Sequence, residues 1–111
     1  MPGFITGSVG GLAGQVPISN LLLVTAILSP AIVNANTTAE QTFTITGLPA
    51  ATPGNLGAAL VAVSKPTAQA GLGIVGARLV GAGQVAITFS NNTAGGITPT
   101  ASELYSFLLV A

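Results

Sequence analysis

The chain has 111 residues, a formal net charge of zero and only four charged side chains, Glu40, Lys65, Arg78 and Glu103. It contains no His, Cys, Asp or Trp, which excludes a thiolate nucleophile, a Ser-His-Asp triad and an ordinary zinc or iron site. Two cations cannot neutralise a phosphate backbone, so nucleic-acid binding is excluded as well.

Residues 1–19 carry glycine at positions 3, 7, 10, 11 and 14, with isolated apolar residues between them. No period dominates, so this stretch reads as an extended arm ahead of one domain over residues 20–111. The arm is uncharged and cannot build a core of its own. Its dispersed anchors Phe4, Ile5, Val9 and Leu12 are therefore the candidate partner-binding residues. The run Leu21–Leu28 follows, closed by Ser29-Pro30. It is too short for a membrane-spanning helix, which needs about twenty residues. The first twenty residues contain no Lys or Arg for the basic region of a signal peptide, and Pro2 excludes myristoylation. Neither a membrane segment nor a targeting peptide is expected.

The remaining elements punctuate themselves at strand intervals. Residues 41–46 alternate strictly, with Phe43 and Ile45 on one face and three threonines on the other, and stop at Gly47. Residues 60–64 follow the turn cluster of Pro49, Pro53 and Gly54. Residues 73–80 and 84–90 flank the turn Gly81-Ala82-Gly83 and read as a hairpin. In the second arm of that hairpin, Val85, Ile87 and Phe89 alternate against Gln84, Ala86 and Thr88. Residues 103–110 place Tyr105, Phe107 and Leu109 on one face. No stretch shows a capped helical period. The fold class expected is all-β, an antiparallel β-sandwich or barrel of Greek-key or jelly-roll type with about six to eight strands. Phe43, Ile45, Val85, Ile87, Phe89 and Phe107 are its expected inner face.

Local motifs do not add chemistry. Gly71-Leu72-Gly73-Ile74-Val75-Gly76 matches the dinucleotide fingerprint, but the next turn at Gly81 leaves no room for the helix that fingerprint opens. It reads as a glycine-bearing strand start. Asn36-Thr37-Thr38 and Asn91-Asn92-Thr93 have the form of glycosylation sequons and read as turns. Ser64 and Lys65 adjoin on a strand and so point to opposite faces, which is unsuited to a nucleophile pair. Glu40 and Glu103 could share acid–base work only by meeting in space. They are expected to be solvated surface carboxylates instead. No enzyme activity, cofactor or metal is expected.

The sparse charge points to assembly. A folded monomer of this mass exposes about 5,500 Å², so each charge would solubilise on the order of 1,400 Å² alone. Much of the surface is therefore expected to be buried against other chains.

Three stretches resemble segments of small tailed-phage virion proteins. They are Ala35–Leu48, Val63–Arg78, and Ile87–Ala94 taken with Ile97–Tyr105. With their surroundings they cover roughly residues 31–111, and the connection Pro49–Gly57 is longer than the pattern has. The resemblance implies a β-rich structural component of the particle, most like a capsid decoration (cement) protein. Its implied partners are the major capsid protein, reached through Phe4, Ile5, Val9 and Leu12, and its own copies in a homo-oligomer, with a trimer expected. The implied location is the virion exterior, after synthesis in the host cytoplasm. The same pattern would also fit a head-fibre or spike base or a tail-associated protein. A cellular surface-layer or adhesive β-protein is the alternative of a different class.

Overall fold

The computed structural model describes residues 21–48, 59–81 and 83–110. The expected arm over residues 1–19, with Phe4, Ile5, Val9 and Leu12, lies outside the described residues. So does the turn cluster of Pro49, Pro53 and Gly54.

Six strands form, β1 (Leu21–Leu28), β2 (Thr37–Thr44), β3 (Ala59–Ser64), β4 (Leu72–Gly81), β5 (Gln84–Asn91) and β6 (Glu103–Val110). They make two three-stranded antiparallel sheets, ordered β1-β6-β3 and β2-β5-β4. The two sheets pack face to face as a small β-sandwich. Their inner faces supply the fully buried Val85, Ile87 and Phe89 from β5 and Tyr105, Phe107 and Leu109 from β6. Phe43, Leu22, Val24, Leu60 and Ile74 pack half-buried around that centre. The residues expected inward from period-two alternation face the core, and Leu28, Val33 and Leu48 join them there.

Two differences have simple causes. β2 begins at Thr37, four residues before the alternating stretch expected from Gln41. Its first half pairs Thr37–Glu40 with Thr88–Asn91 of β5, but its inward residues there are Thr37 and Ala39, one polar and one too small to show in a hydropathy pattern. At the other end, Ile45 leaves the ladder and donates its N–H to the Gly83 carbonyl at 2.8 Å, beside the β4–β5 hairpin. Ala86 was expected to face solvent and is instead fully buried. It sits opposite Thr42 and Arg78 on the outer face of the central strand. The Arg78 side chain crosses β5 there to reach Glu40 on β2, covering the alanine.

One end of the sandwich is closed by a single amide. Asn91 Nδ2 donates to the carbonyls of Val33 and Gly95 at 2.9 and 2.8 Å. Its Oδ1 accepts from the Thr93 N–H and hydroxyl at 2.9 and 2.7 Å. All four hydrogen-bonding positions of a buried side chain are thus filled. That leaves Asn91 no free amide for the modification its sequon spells, and supports the turn reading. Gly71, the first glycine of the fingerprint match, has φ +82°, and a Cβ there would collide with the Thr93 methyl. Its function is steric: it lets the chain turn tightly into β4 beneath the Asn91 loop.

Candidate functional site

The four charges form two ion pairs. Arg78 Nε and Nη2 donate to Glu40 Oε2 and Oε1 at 2.9 and 3.0 Å. This two-pronged contact ties the edge strands β2 and β4 together across β5 and holds the Glu40 carboxyl below its ordinary range. The second pair is sequestered. Lys65 Nζ lies 2.9 Å from Glu103 Oε1, and both side chains are only 9 % exposed. Lys65 also donates to the Thr67 carbonyl at 2.8 Å and to its hydroxyl at 3.1 Å. The same hydroxyl donates to Glu103 Oε2. Thr67 first, and Lys65 after it, lower the Glu103 pKa. Glu103 is therefore not the solvated surface carboxylate expected. Each glutamate is held by its own cation in a different part of the sandwich, so no acid–base pair exists.

This arrangement sets the acid side of stability. Both carboxyls titrate lower in the folded chain than the ordinary 4.5. On acidification the unfolded chain takes up protons first, so stability is present above about pH 4.5 and is lost as pH falls through the lowered folded values. Lys65→Met should destabilise strongly at neutral pH, where it leaves a sequestered carboxylate unpaired. The loss should shrink at pH values where Glu103 is protonated. Urea midpoints for both proteins across acid and neutral pH check this. An equal loss at every pH would contradict it.

Tyr105 is the only tyrosine, in a chain without tryptophan. Its ring is fully buried and its hydroxyl has no hydrogen-bond partner among the described residues. Burial, aided by the nearby Glu103 charge, pushes its pKa up to about 12. The unfolded chain ionises first, so the stability this group contributes is complete below about pH 10 and is lost as pH rises through about 12. Phenolate absorbance reports this one residue. Tyr105→Phe should remove the alkaline loss and raise stability at neutral pH by about 1 kcal/mol, because an orphaned buried hydroxyl costs more than it contributes. A destabilised variant would contradict the orphan assignment.

Two hollows accompany these pairs, and neither holds reactive groups. A groove of about 280 Å³ runs between β3 and β4, lined only by aliphatic residues and Gly76. Both strands are bulged beside it, at Leu60/Ala62 and Ile74/Gly76, which disrupts further strand pairing on that side. A smaller cavity of about 150 Å³ includes Lys65, Thr67 and Gln69 in its wall. Its one cation already has three partners.

What remains is a surface, the outer face of β1-β6-β3. Alternation along β1 sends Leu22, Val24 and Ala26 toward the core and Leu21, Leu23, Thr25 and Ile27 outward. Leu21, Leu23 and Ile27 are 67, 68 and 68 % exposed. On β6, Leu104 stands outward at 52 % exposed, with Ser106, Leu108 and Val110 on the same side. Val61 and Ala62 at the β3 bulge extend the face. Registers place these residues in rows: Leu21 beside Val110, Leu23 beside Leu108 and Ala62, and Ile27 beside Leu104. Between them one row is entirely hydroxyl, Thr25–Ser106–Ser64, one residue from each strand. No charged residue belongs to this face. The opposite outer face, on β2-β5-β4, carries Thr38, Glu40, Thr42, Thr44, Thr88, Ser90 and Arg78, with Val75 as its large exposed aliphatic among the described residues. The sandwich is thus amphipathic as a whole, with one sheet apolar on both sides.

The expected site residues of the arm lie outside the described residues. The outward leucines were not singled out from the sequence. The available signal was the run Leu21–Leu28, apolar at both parities, which marks a strand covered on both faces. Among the described residues no helix is long and apolar enough to cross a membrane. Comparisons with protein-family models, with curated proteins and with solved structures each find no match.

Proposed function

We propose that the chain is a non-catalytic assembly subunit, and that within this class it is a capsid decoration protein of a tailed phage. The observation that carries the assembly reading is the outer face of β1-β6-β3: five large aliphatic side chains more than half exposed on one uncharged sheet face. Its three strands, about 4.8 Å apart and up to about 26 Å long, span about 370 Å² in projection. Contiguous apolar patches of that order mark interaction sites. Each of the four charged side chains is paired within the chain, Glu40–Arg78 at the surface and Lys65–Glu103 largely buried, so none is left unpaired to recognise a charged substrate. The particle reading is supported by the resemblance of Ala35–Leu48, Val63–Arg78, and Ile87–Ala94 taken with Ile97–Tyr105 to small tailed-phage virion proteins.

In this proposal the apolar face packs against copies of the same chain. Residues 1–15 engage the major capsid protein through Phe4, Ile5, Val9 and Leu12. A ligand that binds only the assembled shell stabilises it by mass action. Ordering the arm costs about 1–2 kcal/mol per residue, against about 1.5–3 kcal/mol gained per buried anchor. Binding is then close to balance and depends on an intact arm. Deleting residues 1–15 should leave the sandwich folded and self-associated by circular dichroism and sedimentation, while abolishing co-sedimentation with capsids. Full decoration by the truncated protein would show that capsid binding does not need the arm.

A further inference from the structure

We infer that the outer face of β1-β6-β3 is a two-fold interface with a second copy, and that the hydroxyl row Thr25–Ser106–Ser64 lies along its axis. The inference rests on the assembly reading above and names the partner of that face; it calls for two copies across the face in place of three.

Three observations lead to a copy. First, the face has the makeup of the core behind it: Leu, Ile and Val in period-two rows, uncharged. Obligate self-interfaces have this character, like a core cut in half. Second, the row of hydroxyls is self-complementary. A hydroxyl both donates and accepts, so across sheets about 10 Å apart a row of them can bond to its own mate through bridging water, whereas a row of carboxylates or ammonium groups would repel it. Aliphatic rows on both sides of the hydroxyls would leave them poorly hydrated beneath an apolar partner lacking such groups. Third, the area approaches what a specific pair needs. Two faces in contact remove about 740 Å² in projection. The relief of the standing leucines brings this toward the roughly 1,000 Å² that specific interfaces clear.

The geometry of the pair follows from the registers. A two-fold axis along the row lays β6 over β6 with strands running in opposite directions. It sets Thr25 over Thr25 and Ser64 over Ser64 of the second copy, and brings the Leu23–Leu108 row over the Ile27–Leu104 row. Thr25 and Ser64 are on the edge strands, at the two rims of the interface, where a reagent can reach them. Leu21, four residues from the axis, would be about 26 Å from its mate.

The chain has no cysteine, so single-cysteine variants report without background. Thr25→Cys and Ser64→Cys should each form covalent dimers with a short bis-thiol cross-linker, while Leu21→Cys should not. Wild-type protein should sediment as a dimer under the same conditions. The inference is overturned if Leu21→Cys cross-links as well as the other two. Cross-linking only between Thr25→Cys and Ser64→Cys chains would also overturn it, since that places β1 over β3. A wild-type monomer that begins to associate once residues 1–15 are removed would overturn it by making the chain's own N-terminal segment the cover. A monomer whose capsid binding is lost in Leu23→Lys would overturn it too, because the face would then belong to the shell and the decoration reading would stand. A cross-linked dimer that binds no capsid would support the pairing while the decoration reading fails.

Discussion

Phe89→Ala should destabilise the sandwich by about 3–5 kcal/mol, measured as a lowered urea midpoint with an unchanged slope. The ring lies at the middle of the inner surface of β5, fully buried, with Ala39 and Ile74 beside it in register on the flanking strands. Ala39 is too small to refill the space, and Ile74 packs half-buried on the other side. Tyr105 and Phe107 of the opposite sheet share the same core. Truncation therefore loses the transfer free energy of the ring and leaves a cavity the two sheets cannot close. Against the 5–15 kcal/mol typical of a whole domain, about 4 kcal/mol is a large share. A loss below about 1 kcal/mol would mean that this strand is not central to the core.

Leu23→Lys should act oppositely, leaving the fold intact and dissociating the oligomer. Leu23 is 68 % exposed in the single chain, and substitutions at such positions change folding stability by about 0.5 kcal/mol or less. At an interface the same change desolvates an unpaired ammonium among leucines, with no carboxylate on this face to receive it. About 3 kcal/mol or more of association free energy should be lost, a weakening of roughly a hundredfold in Kd. Thr44→Lys, on the hydroxyl- and charge-bearing face of the other sheet, should leave association unchanged and serves as the control. Equal effects of the two substitutions would remove the distinction between the faces.

Much of the fold is legible in single residues. Phe43, Ile45, Val85, Ile87 and Phe89 declare their strands because a large apolar residue at every second position has one physical use, a half-buried sheet. The start of β2 was hidden because Ala39 and Gln41 occupy inward positions near the strand edge, where Gln41 instead bonds the N–H and C=O of Ala31 at 2.8 and 2.9 Å. Glu103 looked like a surface carboxylate because its partners are tertiary. Thr67 is 36 residues away in sequence, and nothing local marks the contact. The outward leucines were missed for a related reason. Leu21–Leu28 is apolar at both parities, and only the pairing of β1 with β6, and of β6 with β3, shows that one of its faces is left uncovered by the sandwich. The hydroxyl row is likewise a product of register, since Thr25, Ser64 and Ser106 are unremarkable apart.

Asymmetry between the two outer faces explains how so few charges suffice. The ion pair Glu40–Arg78 and the threonines keep one sheet wetted, and the pair Lys65–Glu103 is spent internally. The other sheet has the surface of a core, and the proposed assembly would cover it. The most direct test is sedimentation of the wild-type protein across a concentration series reaching down to low micromolar. Self-association through the apolar face predicts a single folded oligomer throughout, with no folded monomer detectable at the lower end. A well-folded monomer at low micromolar concentration would contradict it.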